Sequence, residues 1–314
     1  MSTMKKTSAS HGRTGKKPVG GTGKSPPIGT RDTNATVIPF AGIPAPIRVK
    51  RLQGREWAFE LAPDNPEFDA GCELLDEGRP RKAQAMFERA LKRNPGDIDA
   101  LHHMAIMLDQ NGKSGEARRL WTDAVRLGRE AIPAGFQKGR DRLRWGWIEN
   151  RPYLRALHGL GCSHLELGKK AEALAIFEEL LDFNPEDNQG VREPALEQYL
   201  EAGQLDKARE LVNIKYKDDA MAGLLYGRPL VLFKTGDREA AEQALKAAVS
   251  LSPRIAAELQ KSSHRRPEDE MAGYITMGGW DEAFEYWTHF GRFWAADALD
   301  WLRNLAAGMQ VPSK

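Results

Sequence analysis

Small and bulky apolar residues recur in a fixed order along the chain from about residue 66 onward. A glycine is followed five positions later by an alanine, and in most copies a bulky apolar residue follows the alanine by four. The six copies are Gly78/Ala83/Phe87, Gly112/Ala117/Trp121, Gly168/Ala173/Phe177, Gly203/Ala208/Val212, Gly236/Ala241/Leu245 and Gly278/Ala283/Trp287. Pro95, Pro185 and Pro253 end three copies at the same phase. This pattern is typical of helix pairs that repeat about every 34 residues.

The spacing has a physical reason. A glycine suits the tight turn between two antiparallel helices, where a Cβ would be costly. The alanine and the bulky residue four positions later share one face of the second helix, so the first helix can approach closely at the alanine. Proline ends the second helix because it cannot continue it. We therefore predict an all-α chain, a solenoid of about six helix-turn-helix units.

The two ends of the chain differ from this pattern. Residues 1–35 are rich in Lys, Gly, Ser and Thr and are predicted to be disordered, since little burial offsets the ordering entropy. Residues 37–49 are apolar but broken by three prolines, which predicts an extended arm on the solenoid or a linker. Near the C-terminus Trp280, Trp287, Trp294 and Trp301 recur every seven residues. Such spacing suits either a coiled-coil seam or a terminal hairpin, and Gly291 favours the hairpin.

The predicted organisation has four segments. Residues 1–56 form a disordered basic tail and Pro-rich arm, and residues 57–128 form units one and two. Residues 129–152 form an insertion rich in Arg and Trp, expected to be a long loop at one edge of the solenoid. Residues 153–314 form units three to six with an aromatic C-terminal cap.

Charge is unevenly distributed along the chain. Residues 1–56 hold eleven lysines and arginines against two carboxylates, a net charge of +9, whereas the whole chain carries +2. The remaining residues therefore carry −7, and a mildly acidic folded part with a basic tail is expected.

No long apolar run and no secretory leader is evident, and Cys72 and Cys162 have no metal-type spacing. We predict a cytoplasmic protein without a membrane span.

The repeats over about residues 64–290 resemble the tetratricopeptide family. The segment WGWIENRPYLRALHGLG and the later NPEDNQGVR are similar to a group of bacterial tetratricopeptide proteins with ENRPYLRA and NPxDNQGxR blocks. The C-terminal stretch DEAFEYWTHFGRFWAADALDWLR is similar to the end of the suppressor-of-tumorigenicity-7 family. These resemblances imply interaction or scaffolding, with no catalytic residues and no cofactor.

The tetratricopeptide resemblance also implies that the first helix of each pair lines a concave groove. A mixture of polar and apolar groove residues suits a peptide or helix with apolar anchors. The candidate partner-binding residues are Arg151, Tyr153, Arg155, His158, Asn188, Gln189, Arg192, Glu193 and Tyr226. A second interpretation stays open for the ENRPYLR and DNQGVR blocks, which would instead form a buried hydrogen-bond network joining the third and fourth units.

Other chemistry has weaker support. The segment GGTGKS at residues 20–25 has Pro18 where a phosphate-binding loop needs glycine, and Pro26 and Pro27 block the helix that should follow. His158 and Cys162 are one helical turn apart but have no third metal ligand at a suitable spacing. We predict a non-enzymatic scaffold that binds a protein or peptide partner. The alternative is a nucleic-acid-associated adaptor that uses the basic tail and the Arg/Trp insertion.

Overall fold

The computed structural model describes residues 46–60, 64–268 and 275–309. The predicted disordered tail, most of the Pro-rich arm and the GGTGKS segment lie outside these residues. Two short strands open the described part, β1 (Val49–Arg51) and β2 (Trp57–Phe59). They pair antiparallel, with Val49 opposite Phe59 and Arg51 opposite Trp57. Both strands are additions to the all-helical pattern that the sequence predicts.

Most of the rest of the described chain is helical, with longer non-helical stretches at residues 132–147 and 260–268. In chain order the helices are α1 (Pro66–Asp76), α2 (Pro80–Arg93), α3 (Ile98–Gln110), α4 (Ser114–Ala131), α5 (Arg151–Glu166), α6 (Lys170–Phe183), α7 (Arg192–Glu201), α8 (Leu205–Glu210), α9 (Ala222–Lys234), α10 (Arg238–Leu251), α11 (Pro253–Leu259), α12 (Trp280–Phe290) and α13 (Ala296–Ala306). Five consecutive hairpins pair α1 with α2, α3 with α4, α5 with α6, α7 with α8, and α9 with α10. The predicted helical solenoid is confirmed.

The residues of the repeat have the roles that their spacing predicts. All six glycines before the alanines have positive φ, between 67° and 84°, a conformation that disfavours any Cβ. All six alanines are fully buried. In units one and three the bulky residue packs directly on a glycine of the first helix: a Cβ on Gly71 would lie 2.6 Å from the Phe87 ring, and one on Gly161 would lie 2.6 Å from the Phe177 ring.

The segment between α4 and α5 packs against the β1–β2 strand pair and against α6. The backbone N–H of Trp57 donates to the carbonyl of Arg142 at 2.9 Å, and the N–H of Arg142 donates to the carbonyl of Arg55 at 2.9 Å. The N–H of Leu143 donates to the carbonyl of Phe183 at 2.9 Å, and the Leu143 side chain is fully buried. Phe136 and Leu143 thus anchor this segment to the core, whereas Trp147 and Ile148 stay exposed.

Aromatic side chains join the C-terminal helices to the last repeat. A 3-10 turn at Gly291–Phe293 separates α12 from α13, so the coiled-coil interpretation of the tryptophan spacing is wrong. The Trp294 indole N–H donates to the Tyr286 hydroxyl at 2.9 Å, and the Trp301 ring stacks on Phe233 of α9 at 4.6 Å between centroids. Helix α12 packs on α11 and crosses α9.

Candidate functional site

Asn150, in the ENRPYLR block, is a fully buried amide at the entrance of α5. Its Oδ1 accepts from the backbone N–H of Phe59 at 3.1 Å. Its Nδ2 donates to the carbonyls of Trp57 and Arg144, each at 3.1 Å. A buried amide is tolerated when these bonds are made, because an unsatisfied one carries its full desolvation cost. Asn150 therefore joins strand β2 to the segment before α5.

Arg151 is turned toward the same segment. Its Nε donates to the carbonyl of Trp145 at 3.0 Å, and its guanidinium carbon lies 5.2 Å from the centroid of the Trp145 ring. A cation over an indole face is attracted by the ring quadrupole. Arg151, predicted as a partner contact, is engaged in holding the connection between α4 and α5.

Asp187 and Arg192, in the DNQGVR block, form an ion pair at the start of α7. Asp187 has a φ of 45° and a side chain that is 2% exposed. Its carboxylate accepts from the backbone N–H groups of Val191 and Arg192, each at 2.9 Å, and from Nη1 of Arg192 at 2.9 Å. Burial raises the pKa of Asp187, and these hydrogen bonds oppose that effect. The Nε of Arg192 also donates to Asp219 at 2.5 Å.

The two amides between Asp187 and Arg192 make single hydrogen bonds. The Nε2 of Gln189 donates to the carbonyl of Leu154 at 3.2 Å, which links the loop before α7 to α5. The Oδ1 of Asn188 accepts from Nδ2 of Asn184 at 3.3 Å, and the Asn188 residue is exposed. Gln189 therefore contributes to the contact between units three and four, whereas Asn188 lies at its edge.

Glu193 and Tyr226 hold α9 to its two neighbours. The Oε1 of Glu193 on α7 accepts from the backbone N–H of Gly223 at 2.6 Å. The hydroxyl of Tyr226 donates to the carbonyl of Ser252 at 2.7 Å, at the start of α11, and the residue is fully buried. Tyr226 therefore offers no exposed surface to a partner in this structure.

Tyr153 is likewise a core residue. It is fully buried, and its ring centroid lies 5.2 Å from that of Phe59 and 6.0 Å from that of Phe183. A Cβ on Gly128 of α4 would lie 2.2 Å from the Tyr153 ring, so the glycine creates the space that the ring fills. The side chain stabilises the contact between α4, α5 and β2.

Arg155 and His158 lie on the face of α5 that adjoins α3. The Nη2 of Arg155 donates to both carboxylate oxygens of Asp99, at 2.9 Å each, and its side chain is 33% exposed. The Nε2 of His158 lies 3.6 Å from Sγ of Cys162. Burial lowers the pKa of His158 and raises the pKa of Cys162 to about 11, so both are neutral at pH 7. In the described part of the chain, no three His, Cys, Asp or Glu residues are grouped to hold a metal ion.

The face of α7 that carries Glu197 and Glu201 is contacted by the chain's own C-terminal segment. The Nη2 of Arg292 donates to Oε1 of Glu197 at 2.9 Å, and its Nε donates to Glu201 at 3.0 Å. The Nδ1 of His289 lies 3.2 Å from Oε2 of Glu197. Burial alone would raise the pKa of Glu197, but the hydrogen bonds from His289 and Arg292 lower it below its ordinary value. Rings of the same segment cover α9, where the centroids of Tyr226 and Tyr286 are 5.5 Å apart.

Three family models match the repeats by sequence. All three are described as tetratricopeptide repeat, and they match residues 74–130, 154–187 and 224–255. The matched ranges cover α2 to α4, most of α5 with α6, and most of α9 with α10.

The chain contains tetratricopeptide repeats.

Solved tetratricopeptide structures are similar to the chain over about three fifths of its length. One is YrrB, described as a TPR protein with an unusual peptide-binding site, with 18% identity and a TM-score of 0.45 over 60% of this chain and 87% of that one. A second is MamA, with 16% identity and a TM-score of 0.42 over 57% of this chain and 92% of that one. A tetratricopeptide repeat protein from Parabacteroides merdae has 17% identity and a TM-score of 0.44 over 61% and 67%. No curated protein matches the sequence, and no helix in the described ranges is long and apolar enough to cross a membrane.

The tetratricopeptide groove, defined as the surface of the first helices α1, α3, α5, α7 and α9, has two halves. The second half, on α7 and α9, is covered by α12, the Gly291–Phe293 turn and α13. The first half, on α1, α3 and α5, keeps partly exposed side chains. These are Phe68 and Cys72 on α1, Ile106 and Asp109 on α3, and Arg155, His158 and Cys162 on α5.

Two carboxylates in the first half, Asp109 and Glu166, have no cation paired with them among the residues that the structure describes. Burial raises the pKa of Glu166, and the charge of Asp109 on the neighbouring helix raises it further. Within the described ranges neither side chain makes a hydrogen bond or an ion pair. The first half of the groove therefore combines apolar side chains with local, uncompensated negative charge.

Sequence reasoning missed Asn150, His289 and Arg292 as candidate residues. Asn150 carries a weak local signal, since an amide just before a proline-initiated helix is a common turn residue. Arg292 and His289 carry none, because their partner Glu197 is more than 90 positions away along the chain.

Proposed function

We propose that this chain is an interaction scaffold whose first groove half, on α1, α3 and α5, binds a segment of a protein partner. The observation that carries the proposal is the unequal use of the groove. The chain's own C-terminal segment covers α7 and α9, whereas Phe68 and Ile106 stay partly exposed. A surface that accepts an internal helix at one end is suited to accept an external one at the other.

The chemistry of the first half suits a peptide or helix. Phe68 and Ile106 provide apolar anchors, and the Phe68 ring is supported edge-on by His103 at 5.2 Å. Arg155 stands at one end of the α5 face, paired with Asp99, while Glu166 stands at the other end. An apolar centre with polar ends is the usual composition of a protein interface.

Among the predicted site residues, we assign Arg155 and His158 to this surface. The remaining seven are assigned to the framework that fixes its shape, and for the five of them that lie in the ENRPYLR and DNQGVR blocks this is the second interpretation of those blocks. The seven are Arg151, Tyr153, Asn188, Gln189, Arg192, Glu193 and Tyr226. Hydrogen bonds or burial support this assignment for six of them, whereas Asn188 is exposed and lies at the edge of the framework.

The nucleic-acid alternative gains no support from the described residues of the insertion. Arg144 is paired with Glu56 at 2.7 Å and with Glu186, and Arg151 is held against Trp145. Phosphate binding requires lysines and arginines that are available to displace counterions. The cytoplasmic location and the absence of enzymatic activity remain predictions from the sequence.

A matched pair of isoleucine variants tests the proposed surface. Ile106→Arg places a charge in the first groove half, and Ile214→Arg places the same charge at a 72% exposed isoleucine in the turn after α8. Full-length wild type and both variants are used to capture proteins from the same lysate, with circular dichroism and melting as folding controls. We expect Ile106→Arg to lose partners that wild type and Ile214→Arg both retain.

Equal capture by Ile106→Arg and wild type would overturn the assignment of the site. If Ile106→Arg melts at a much lower temperature, Ile106→Ser replaces it, because serine removes the apolar anchor without burying a charge. Partner capture by Ile106→Ser is then compared with capture by wild type and Ile214→Arg.

A further inference from the structure

Carboxylates recur on the groove side of three consecutive first helices. They are Asp109 near the end of α3, Glu166 at the end of α5, and Glu197 and Glu201 on α7. We call this set the acidic row. In its second half the row has cations beside it, since Arg292 contacts Glu197 and Glu201, and Lys170 of α6 also contacts Glu201.

Among the described residues, no cation pairs with the first half of the acidic row. Burial raises the pKa of Glu166, and the charge of Asp109 across the α3–α5 contact raises it further. Asp109 lies one helical turn beyond Ile106 in α3, and Glu166 lies one helical turn beyond Cys162 in α5. Both Ile106 and Cys162 are partly exposed. The surface therefore offers unpaired negative charge beside an apolar strip.

The second half shows what kind of segment the same arrangement accepts. Helix α12 places the Tyr286 ring beside Tyr226 of α9, and the turn after it places the Arg292 guanidinium on the carboxylates, with the His289 ring beside Glu197. The first half continues this surface along the same groove and has the same two components.

We propose that the first half of the groove binds a basic aromatic segment of a partner protein, with one or two Lys or Arg side chains on Asp109 and Glu166 and an aromatic or aliphatic side chain on Phe68 and Ile106. This inference rests on the proposed function and specifies its partner class. Charge complementarity selects the class, because an acidic segment at this position would add to the repulsion that already exists.

The test uses two synthetic peptides and the full-length chain. The basic probe copies residues 284–294 with Gln in place of Glu285, FQYWTHFGRFW, so that its arginine leaves it positively charged, and the reversed probe replaces its His and Arg by Glu. Fluorescence anisotropy measures the affinity of each labelled peptide at low and high salt. We expect the basic probe to bind, the reversed probe to bind at least tenfold more weakly, and added salt to reduce the difference.

Paired neutralising variants locate the binding site. Asp109→Asn/Glu166→Gln should weaken the basic probe about fivefold, the effect of removing two partly exposed ion pairs. The control Asp182→Asn/Glu239→Gln makes the same charge change on the second helices α6 and α10 and should leave affinity unchanged. A third double variant, Glu197→Gln/Glu201→Gln, tests whether the probe binds the second half of the groove by displacing the chain's own α12.

Each outcome decides a different point. Loss of affinity only in the third pair would place the probe on the second half and overturn the inference. Equal binding of both probes, or preference for the reversed probe, would overturn the charge assignment. If the peptide measurements overturn the inference while Ile106→Arg still abolishes partner capture, the proposed function stands and only the partner class is wrong.

Discussion

Arg292 donates a hydrogen bond to Glu197 at 2.9 Å across 95 positions of the sequence. This contact attaches the turn after α12 to α7, the first helix of the fourth unit, whereas α12 belongs to the predicted sixth unit. The chain therefore provides an internal segment for the second half of its tetratricopeptide groove. The geometry explains why partly exposed groove residues remain in the first half.

Replacing Arg292 should loosen the C-terminal segment without unfolding the repeats. Arg292→Ala removes two partly exposed ion pairs, each worth about 0.2–1 kcal/mol, so the loss in the free energy of unfolding should be about 1 kcal/mol and should shrink with added salt. Hydrogen exchange should accelerate in α12 and α13. The control is Arg303→Ala, because Arg303 forms its ion pair with Asp300 of the same helix, at 2.7 Å. Similar exchange in both variants would contradict the role of the Arg292–Glu197 contact.

The buried histidine His102 should make stability depend on pH below about 6.5. Burial holds the pKa of His102 well below its ordinary value, and the Trp121 indole N–H donates to its Nδ1 at 3.2 Å. The folded pKa is thus below the unfolded pKa, so the stability is fully present above the unfolded pKa and is lost as the pH falls. At pH 5.5 the loss from this residue should be about 1 kcal/mol.

Denaturant titrations of wild type and His102→Gln at pH 7.5 and 5.5 measure this effect. The variant is less stable at both values, but its stability should change less between them. His158 and His164 have pKa values lowered by burial as well, so wild type should lose further stability over the same interval. An unchanged pH difference in His102→Gln would show that His102 does not titrate on unfolding.

Asn150 should be among the most sensitive polar positions. Asn150→Ala leaves the N–H of Phe59 and the carbonyl of Trp57 without their buried partner, so the expected loss in the free energy of unfolding is about 3 kcal/mol. The matched control is Asn188→Ala, since Asn188 is exposed and makes one bond at 3.3 Å. That substitution should cost less than about 1 kcal/mol. Comparable losses would argue against Asn150 as the link between β2 and α5.

Asp187 combines a charge with an unusual backbone conformation, and two substitutions separate these effects. Asp187→Gly removes the carboxylate that caps α7 but accepts the φ of 45°. Asp187→Ala removes the carboxylate and adds strain of about 1 kcal/mol, because a Cβ disfavours the left-handed region. Both should be destabilised, with alanine the worse of the two in chemical denaturation. If glycine is the worse, the backbone strain does not contribute.

The repeat architecture was predictable because it depends on local rules. Gly112 and Gly168 have the positive φ that a tight turn requires, and Ala117 and Ala173 have no exposed surface where two helices meet. Both properties follow from residue size and from a spacing of four or five positions. A framework role for the ENRPYLR and DNQGVR blocks was one of two interpretations, and the burial and hydrogen bonds of Asn150 and Asp187 favour it.

The sequence by itself therefore determined the helix pairs, the turns and the family of repeats. Only the tertiary structure decided that β1 and β2 pair, that Tyr153 and Tyr226 are buried, and that Arg292 reaches Glu197. These contacts join residues separated by more than one repeat or lie outside the repeat pattern, so no local spacing encodes them. The division of the groove into a covered half and a partly exposed half follows from such long-range packing.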